Sequence, residues 1–142
     1  MSDDINGLLL VEDDRVDVMT VQRALRKSPL ASHLCVVRSA VEALAILRGE
    51  GRGGIAALPA LILLDLNLPH SEGIALLRAL REDPRLRDLR VVVLSSSNDA
   101  ADRAVALRYE VEDYLVKPQS FEEFKTAIKT LLAAMLPVQG IV

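Results

Sequence analysis

Tryptophan is absent, and two tyrosines and two phenylalanines are the whole aromatic complement of the 142 residues. A chain that is 51% hydrophobic but only 3% aromatic must build its core mainly from Leu, Val, Ile and Ala. Neither sign of charge dominates: 17 Lys and Arg stand against 20 Asp and Glu, for a net charge of −3. No Lys/Arg stripe is present to neutralise phosphates, which argues against a general nucleic-acid binder but leaves room for a small basic patch. The single cysteine, Cys35, cannot form an internal disulfide, and its apolar neighbours Leu34, Val36 and Val37 make it a candidate core residue. The N-terminus, with Asp3 and Asp4, lacks the positive region and apolar stretch of a signal peptide. The longest apolar run, residues 55–64, is interrupted by Pro59 and is too short to span a bilayer. A cytoplasmic protein with no membrane contact is the expectation. The length suits one domain over residues 1–142, with a core over about 6–136 and an apolar tail at 137–142.

What is there is an alternation. Five short apolar runs, Leu8 to Val11, His33 to Val37, Leu61 to Leu64, Val91 to Leu94 and Tyr114 to Val116, alternate with segments of helical period. That order predicts an α/β fold with a parallel sheet, and the lack of polar alternation fits strands covered on both faces. Asp14 is placed to cap a first helix carrying Val18, Val21 and Leu25, with Asp17 at its third position. Ser39 is placed to cap a second, with Val41, Leu44, Ala45 and Leu47 on its stripe. Ile74, Leu77 and Leu80 mark a third, ended by Pro84, and Ala101, Ala104 and Val105 a weaker fourth. The last has the cleanest stripe: Phe121, Phe124, Ile128, Leu131, Leu132 and Met135. Gly49, Gly51, Gly53 and Gly54 follow a helix and lack a following Lys-Ser/Thr, so they read as a linker and not a phosphate-cradling loop.

Ligands of open parallel sheets sit beyond the carboxyl ends of the strands. Glu12 and Asp13 follow the first strand, Asp65 ends the third with Asn67 two residues on, Ser95 follows the fourth and Lys117 the fifth. Each has a bland explanation, as a helix cap, a turn residue or a solvated charge. Together they have a chemical logic. Carboxylates a few ångströms apart repel by roughly 4 kcal/mol per pair at an effective dielectric near 20, which a cation or proton must offset. With oxygen donors and no His or Cys nearby, Mg2+ fits best. A rim lysine suits a phosphate, a hydroxyl can donate to it, and a remaining carboxylate can attack phosphorus to give an aspartyl phosphate.

The runs LLLVEDD (8–14), LILLDLNLP (61–69), VVVLSSS (91–97) and DYLVKP (113–118) resemble the response-regulator receiver domains of two-component signalling. The resemblance covers about Leu8 to Met135, with 30 positions from Asp65 to Ser95 and 22 from Ser95 to Lys117, as in the family. It implies a flavodoxin-like (βα)5 fold with strand order 2-1-3-4-5. It implies that Asp65 is the phospho-acceptor, and that Asp13 and Asp65 bind Mg2+ directly, Glu12 through water and Asn67 through its main-chain carbonyl. Ser95 would follow the phosphoryl group, Lys117 would pair with it, and Tyr114 would be the aromatic switch that turns inward with Ser95. The bond before Pro118 is often cis in the family. The nearer likeness is to single-domain receivers that serve bacteriophytochromes, so a sensor histidine kinase or a phosphotransfer protein is the implied partner. The end of the chain suggests no output domain, hence action through protein contacts or as a phosphate shuttle or sink, and a homodimer through the last helix and tail.

Two positions depart from the family pattern: Glu110 stands where many receivers have Gly, and Ser96 where a smaller Ala is common. Asn67 and Ser97 flank the implied phosphate, where relatives tune dephosphorylation. Two rival readings carry over. A small phosphatase would want a second Asp where Asn67 stands, and a degenerate receiver would lack one of the site residues, so a signalling module and not an enzyme is the expectation. His70, in the loop after Asp65, reads as a solvated histidine, and His33 as a structural one.

Overall fold

The computed structural model describes residues 7–49 and 58–136. The linker glycines 51, 53 and 54 and the tail 137–142 lie outside the described residues. Five strands, β1 (Leu8–Val11), β2 (Leu34–Val37), β3 (Leu61–Asp65), β4 (Val91–Ser95) and β5 (Asp113–Val116), pair in parallel in the order β2-β1-β3-β4-β5. Between and after them run α1 (Arg15–Ala24), α2 (Ala40–Leu47), α3 (Glu72–Glu82), α4 (Ala100–Arg108) and α5 (Phe121–Met135). This is the expected flavodoxin-like arrangement, with β2 at an edge and the order reversing between β1 and β3.

Successive residues of a strand face opposite sides, and the three central strands divide their apolar side chains accordingly. Leu9, Val11, Ile62, Leu64, Val91 and Val93 pack with Leu47, Leu76, Leu77 and Leu80 of α2 and α3. Leu8, Leu10, Leu61, Leu63, Val92 and Leu94 pack with Val21 of α1 and Phe124, Ile128 and Leu132 of α5. Helices on both faces are why these strands read as unbroken apolar runs.

The caps form as the sequence suggests. Asp14 accepts from the amides of Val16 and Asp17 at 2.8 and 3.2 Å, and Ser39 from that of Glu42 at 3.1 Å. Ser120 does the same for α5. Strand two starts one residue later than expected. Pro29 and the Ser28 cap set a 3-10 turn over Pro29–His33, which takes His33 out of the strand. The stripe of α2 is also rotated: Ala40, Ala43 and Leu47 are buried, while Val41 points outward at 75% exposure. In α4, Ala101 and Ala104 are exposed, Val105 is half-buried and Ala106 is the buried anchor. Cys35 is half-buried, not fully enclosed, because β2 is an edge strand.

Two backbone positions are constrained, one beyond β3 and one before β5. Gly73, in the first turn of α3, lies so close to the chain after Asp65 that a Cβ there would sit 2.9 Å from the Leu66 Cα and carbonyl oxygen. Glu110, after α4, takes φ 59, the left-handed conformation for which glycine at that position is the cheaper choice. A groove of about 530 Å3 between α1 and α5, lined by Arg23, Arg26, Lys27, Lys125 and Lys129 with Phe121 and Glu122, is the small basic patch that the composition left room for. No helix among the described residues is long and apolar enough to cross a membrane.

Candidate functional site

Four strands deliver polar groups to one end of the sheet. Beyond β1, the Glu12 amide continues the ladder to the Val37 carbonyl at 3.0 Å, which sends its side chain into the interior, where it is fully buried. Asp13, next in line, is exposed. Asp65 ends β3, is 3% exposed, and accepts from the Asn67 amide at 2.9 Å. One oxygen from each of Glu12, Asp13 and Asp65 lies within 4.8 Å of the others.

From β4 comes Ser95, fully buried, whose hydroxyl donates to Asn67 Oδ1 at 3.3 Å and accepts from the Ser97 amide at 3.0 Å. The same Asn67 oxygen accepts from the Ser96 amide at 2.8 Å and the Ser96 hydroxyl at 3.0 Å. The Asn67 side chain thus stitches the loop after β3 to the loop after β4, a role the sequence reading, which invoked its main-chain carbonyl, did not foresee. From β5 comes Lys117, whose amide donates to the Ser95 carbonyl at 2.7 Å. Its ammonium lies 2.7 Å from Asp17 Oδ2, 3.0 Å from Glu12 Oε1 and 3.4 Å from Asp65 Oδ1. Asp17, at the third position of α1, is a site residue to which the sequence reading assigns no role in the site. The available signal was an acidic side chain in the first turn of the helix that rises directly from Glu12 and Asp13.

Burial pushes the Glu12 carboxyl up to about 8, with the adjacent Asp65 adding to the rise and Lys117 only partly opposing it. Burial pulls the Lys117 ammonium down, but Asp17, Glu12 and Asp65 more than offset this and hold it above its ordinary value. Two of the clustered carboxylates, Glu12 and Asp65, and a third from Asp17 share one ammonium. The cluster of Glu12, Asp13 and Asp65 could hold a divalent metal: its donors are all oxygen, and the raised Glu12 carboxyl reflects buried negative charge that a cation would offset.

Tyr114 of β5 is turned inward at 6% exposure, its hydroxyl on the Ser97 carbonyl at 3.1 Å and the Arg103 guanidinium 5.0 Å from its ring centre. The bond before Pro118 is trans, against the cis form common in the family; trans is favoured by about 0.5–1 kcal/mol before proline. His70 stands apart from the cluster in an exposed 3-10 turn, at φ 59.

A five-stranded sheet in this order with these groups at its carboxyl end defines a class, and the chain belongs to the response regulator receiver domain family, which matches residues 8–129. Among its relatives is the response regulator Rcp1 of Synechocystis sp., 35% identical over 126 residues that cover 87% of this chain and 86% of that protein. Its fold matches that of the phosphorylated cyanobacterial phytochrome response regulator RcpA with a TM-score of 0.86, at 35% identity over 93% of this chain and 94% of that one. It matches the Mn2+-bound form of Rcp1 with a TM-score of 0.84, at 30% identity over 96% and 99% of the two chains.

Proposed function

We propose that this receiver accepts a phosphoryl group on Asp65 from a sensor histidine kinase or a phosphotransfer protein, in a Mg2+-dependent reaction, and signals by changing shape. The observation that carries the reading is the convergence of Asp65 with two further carboxylates and the Lys117 ammonium at one sheet end. In the transfer, a carboxylate oxygen of Asp65 forms a bond to phosphorus as the phosphorus–nitrogen bond of a phosphohistidine breaks. The imidazole leaves with that electron pair and takes a proton from solvent. Asp13 and Asp65 would hold Mg2+ directly, with Glu12 acting through water and Asn67 through its main-chain carbonyl. A bound Mg2+ supplies neutralisation of the phosphoryl oxygens.

The chain's own side chains do the rest. Lys117 would turn its ammonium to one phosphoryl oxygen, and Ser95 would exchange Asn67 for another. Moving Ser95 draws on the loop that carries Ser97, and with it the Tyr114 hydroxyl and the start of α4. Lightly anchored by Ala106, α4 is the helix that such a pull can shift. Phosphorylation adds about −1.5 to −2 of charge, and moving a 1:99 equilibrium to 99:1 requires about 5.5 kcal/mol of differential stabilisation. The likeness to the bacteriophytochrome response regulators RtBRR and AtBRR supports a bacteriophytochrome as the kinase.

Labelling with acetyl phosphate in Mg2+ tests the assignment. Wild type should take up acid-labile phosphate, and Asp65→Asn none; undiminished labelling of that variant would end it. A homodimer through α5 and residues 137–142 is tested by sedimentation equilibrium, where a monomer at micromolar concentration overturns it.

A further inference from the structure

We infer that Asp17 is a positioning residue that tethers the Lys117 ammonium away from Asp65, so that an arriving phosphoryl group must compete with Asp17 for it. The inference rests on the phospho-accepting reading of Asp65. An ammonium has three donors, and here they address three carboxylates unequally. The 2.7 Å to Asp17 and 3.0 Å to Glu12 are charge-assisted hydrogen bonds of ordinary length or close to it, whereas the 3.4 Å to Asp65 is a loose approach. The shortest of the three therefore goes to a side chain that belongs neither to the acidic cluster nor to the implied acceptor.

Asp17 is well placed to hold its end. Its amide is fixed by the Asp14 cap at 3.2 Å, and its carboxylate sits in the first turn of α1, where a negative charge is favoured. The side chains of Lys117 and Asp17 are 10% and 21% exposed, so water screens the pair only in part. Glu12, which follows β1, takes the second bond, so the two shorter contacts of the ammonium go to the segment after β1 and to α1. When phosphate oxygens appear on Asp65, Lys117 reaches them by giving up its shortest bond. Asp17 would thereby set how readily the phosphorylated state forms without touching metal or phosphate.

The test uses the full chain at saturating Mg2+, with beryllofluoride as the phosphoryl analogue, and reads affinity together with the 15N resonance of the Lys117 ammonium. Asp17→Asn should bind beryllofluoride about three- to tenfold more tightly than wild type, the range expected when a partly screened ion pair is removed from the resting state alone. Before beryllofluoride is added, its Lys117 resonance should already have moved toward the bound position. Asp17→Glu, which keeps the charge, should stay within about twofold of wild type. If Asp17→Asn fails to fold, Asp17→Ser replaces it. Equal or weaker affinity in the neutral variants, with wild type binding normally, overturns the tether and leaves the acceptor reading intact. If wild type itself fails to bind beryllofluoride, both fall.

Discussion

The Tyr114 hydroxyl donates to the main-chain carbonyl of Ser97 at 3.1 Å, which ties β5 to the loop between Ser95 and α4. The Ser97 amide in turn donates to the Ser95 hydroxyl at 3.0 Å. One short segment therefore reports to both the buried serine and the buried tyrosine. Tyr114→Phe keeps the ring beneath Arg103 and removes one hydrogen bond. It should cost about 0.5–1.5 kcal/mol in urea denaturation with an unchanged m-value. No loss of stability would mean that the bond does not hold this loop.

Gly73 is the point where α3 touches the chain after Asp65. Gly73→Ala places a methyl 2.9 Å from backbone atoms that cannot rotate away. We expect a loss of about 1–3 kcal/mol, against the gain that alanine brings to an ordinary helix position. Because the Leu66 backbone must move, Mn2+ affinity should fall with it, as read by titration. Wild-type stability and affinity would show that α3 can retreat.

Glu12 makes a pH prediction. Its carboxyl is raised from an ordinary 4.5 to about 8, so between those values the folded chain holds a proton that the unfolded chain has released. The sign follows: this contribution to stability is full below about 4.5 and is lost as pH rises through about 8. Metal-free protein should thus lose stability across that window. Added Mg2+ should restore it at the alkaline end, and proton release should accompany Mg2+ binding at neutral pH. Glu12→Gln should flatten the profile; an equally steep profile in that variant assigns the dependence elsewhere.

Arg81 of α3 spends its guanidinium on main-chain carbonyls. It donates to Tyr109 at 2.6 Å, to Leu89 at 2.8 Å, to Arg87 at 2.9 Å and to Glu110 at 3.2 Å. These bonds hold the left-handed turn at Glu110 and the approach to β4 on one side chain. Arg81→Lys keeps the charge but not the planar fork. It should cost about 2–4 kcal/mol, with faster hydrogen exchange at residues 109–112. Exchange unchanged there would leave Arg81 as a surface cation.

Local chemistry made much of this protein legible in advance. The central strands are apolar without alternation because both their faces are covered, and Asp14 and Ser39 cap helices because their short side chains reach the free amides. The polar groups after β1, β3, β4 and β5 could be placed at one end because parallel strands all point the same way. What those rules do not reach is which face a short helix turns inward and which charge meets which. Val41 points outward because the neighbouring sheet and α3 select Ala40, Ala43 and Leu47. Lys117 pairs with Asp17 across 100 positions of chain, and Arg81 with carbonyls 28 and 29 positions away. Strand period and helix capping are set within a few residues, so the sequence alone determined them, together with the family pattern at the sheet end. Ion pairs between distant segments depend on how side chains are packed in three dimensions, and only the folded chain decided those.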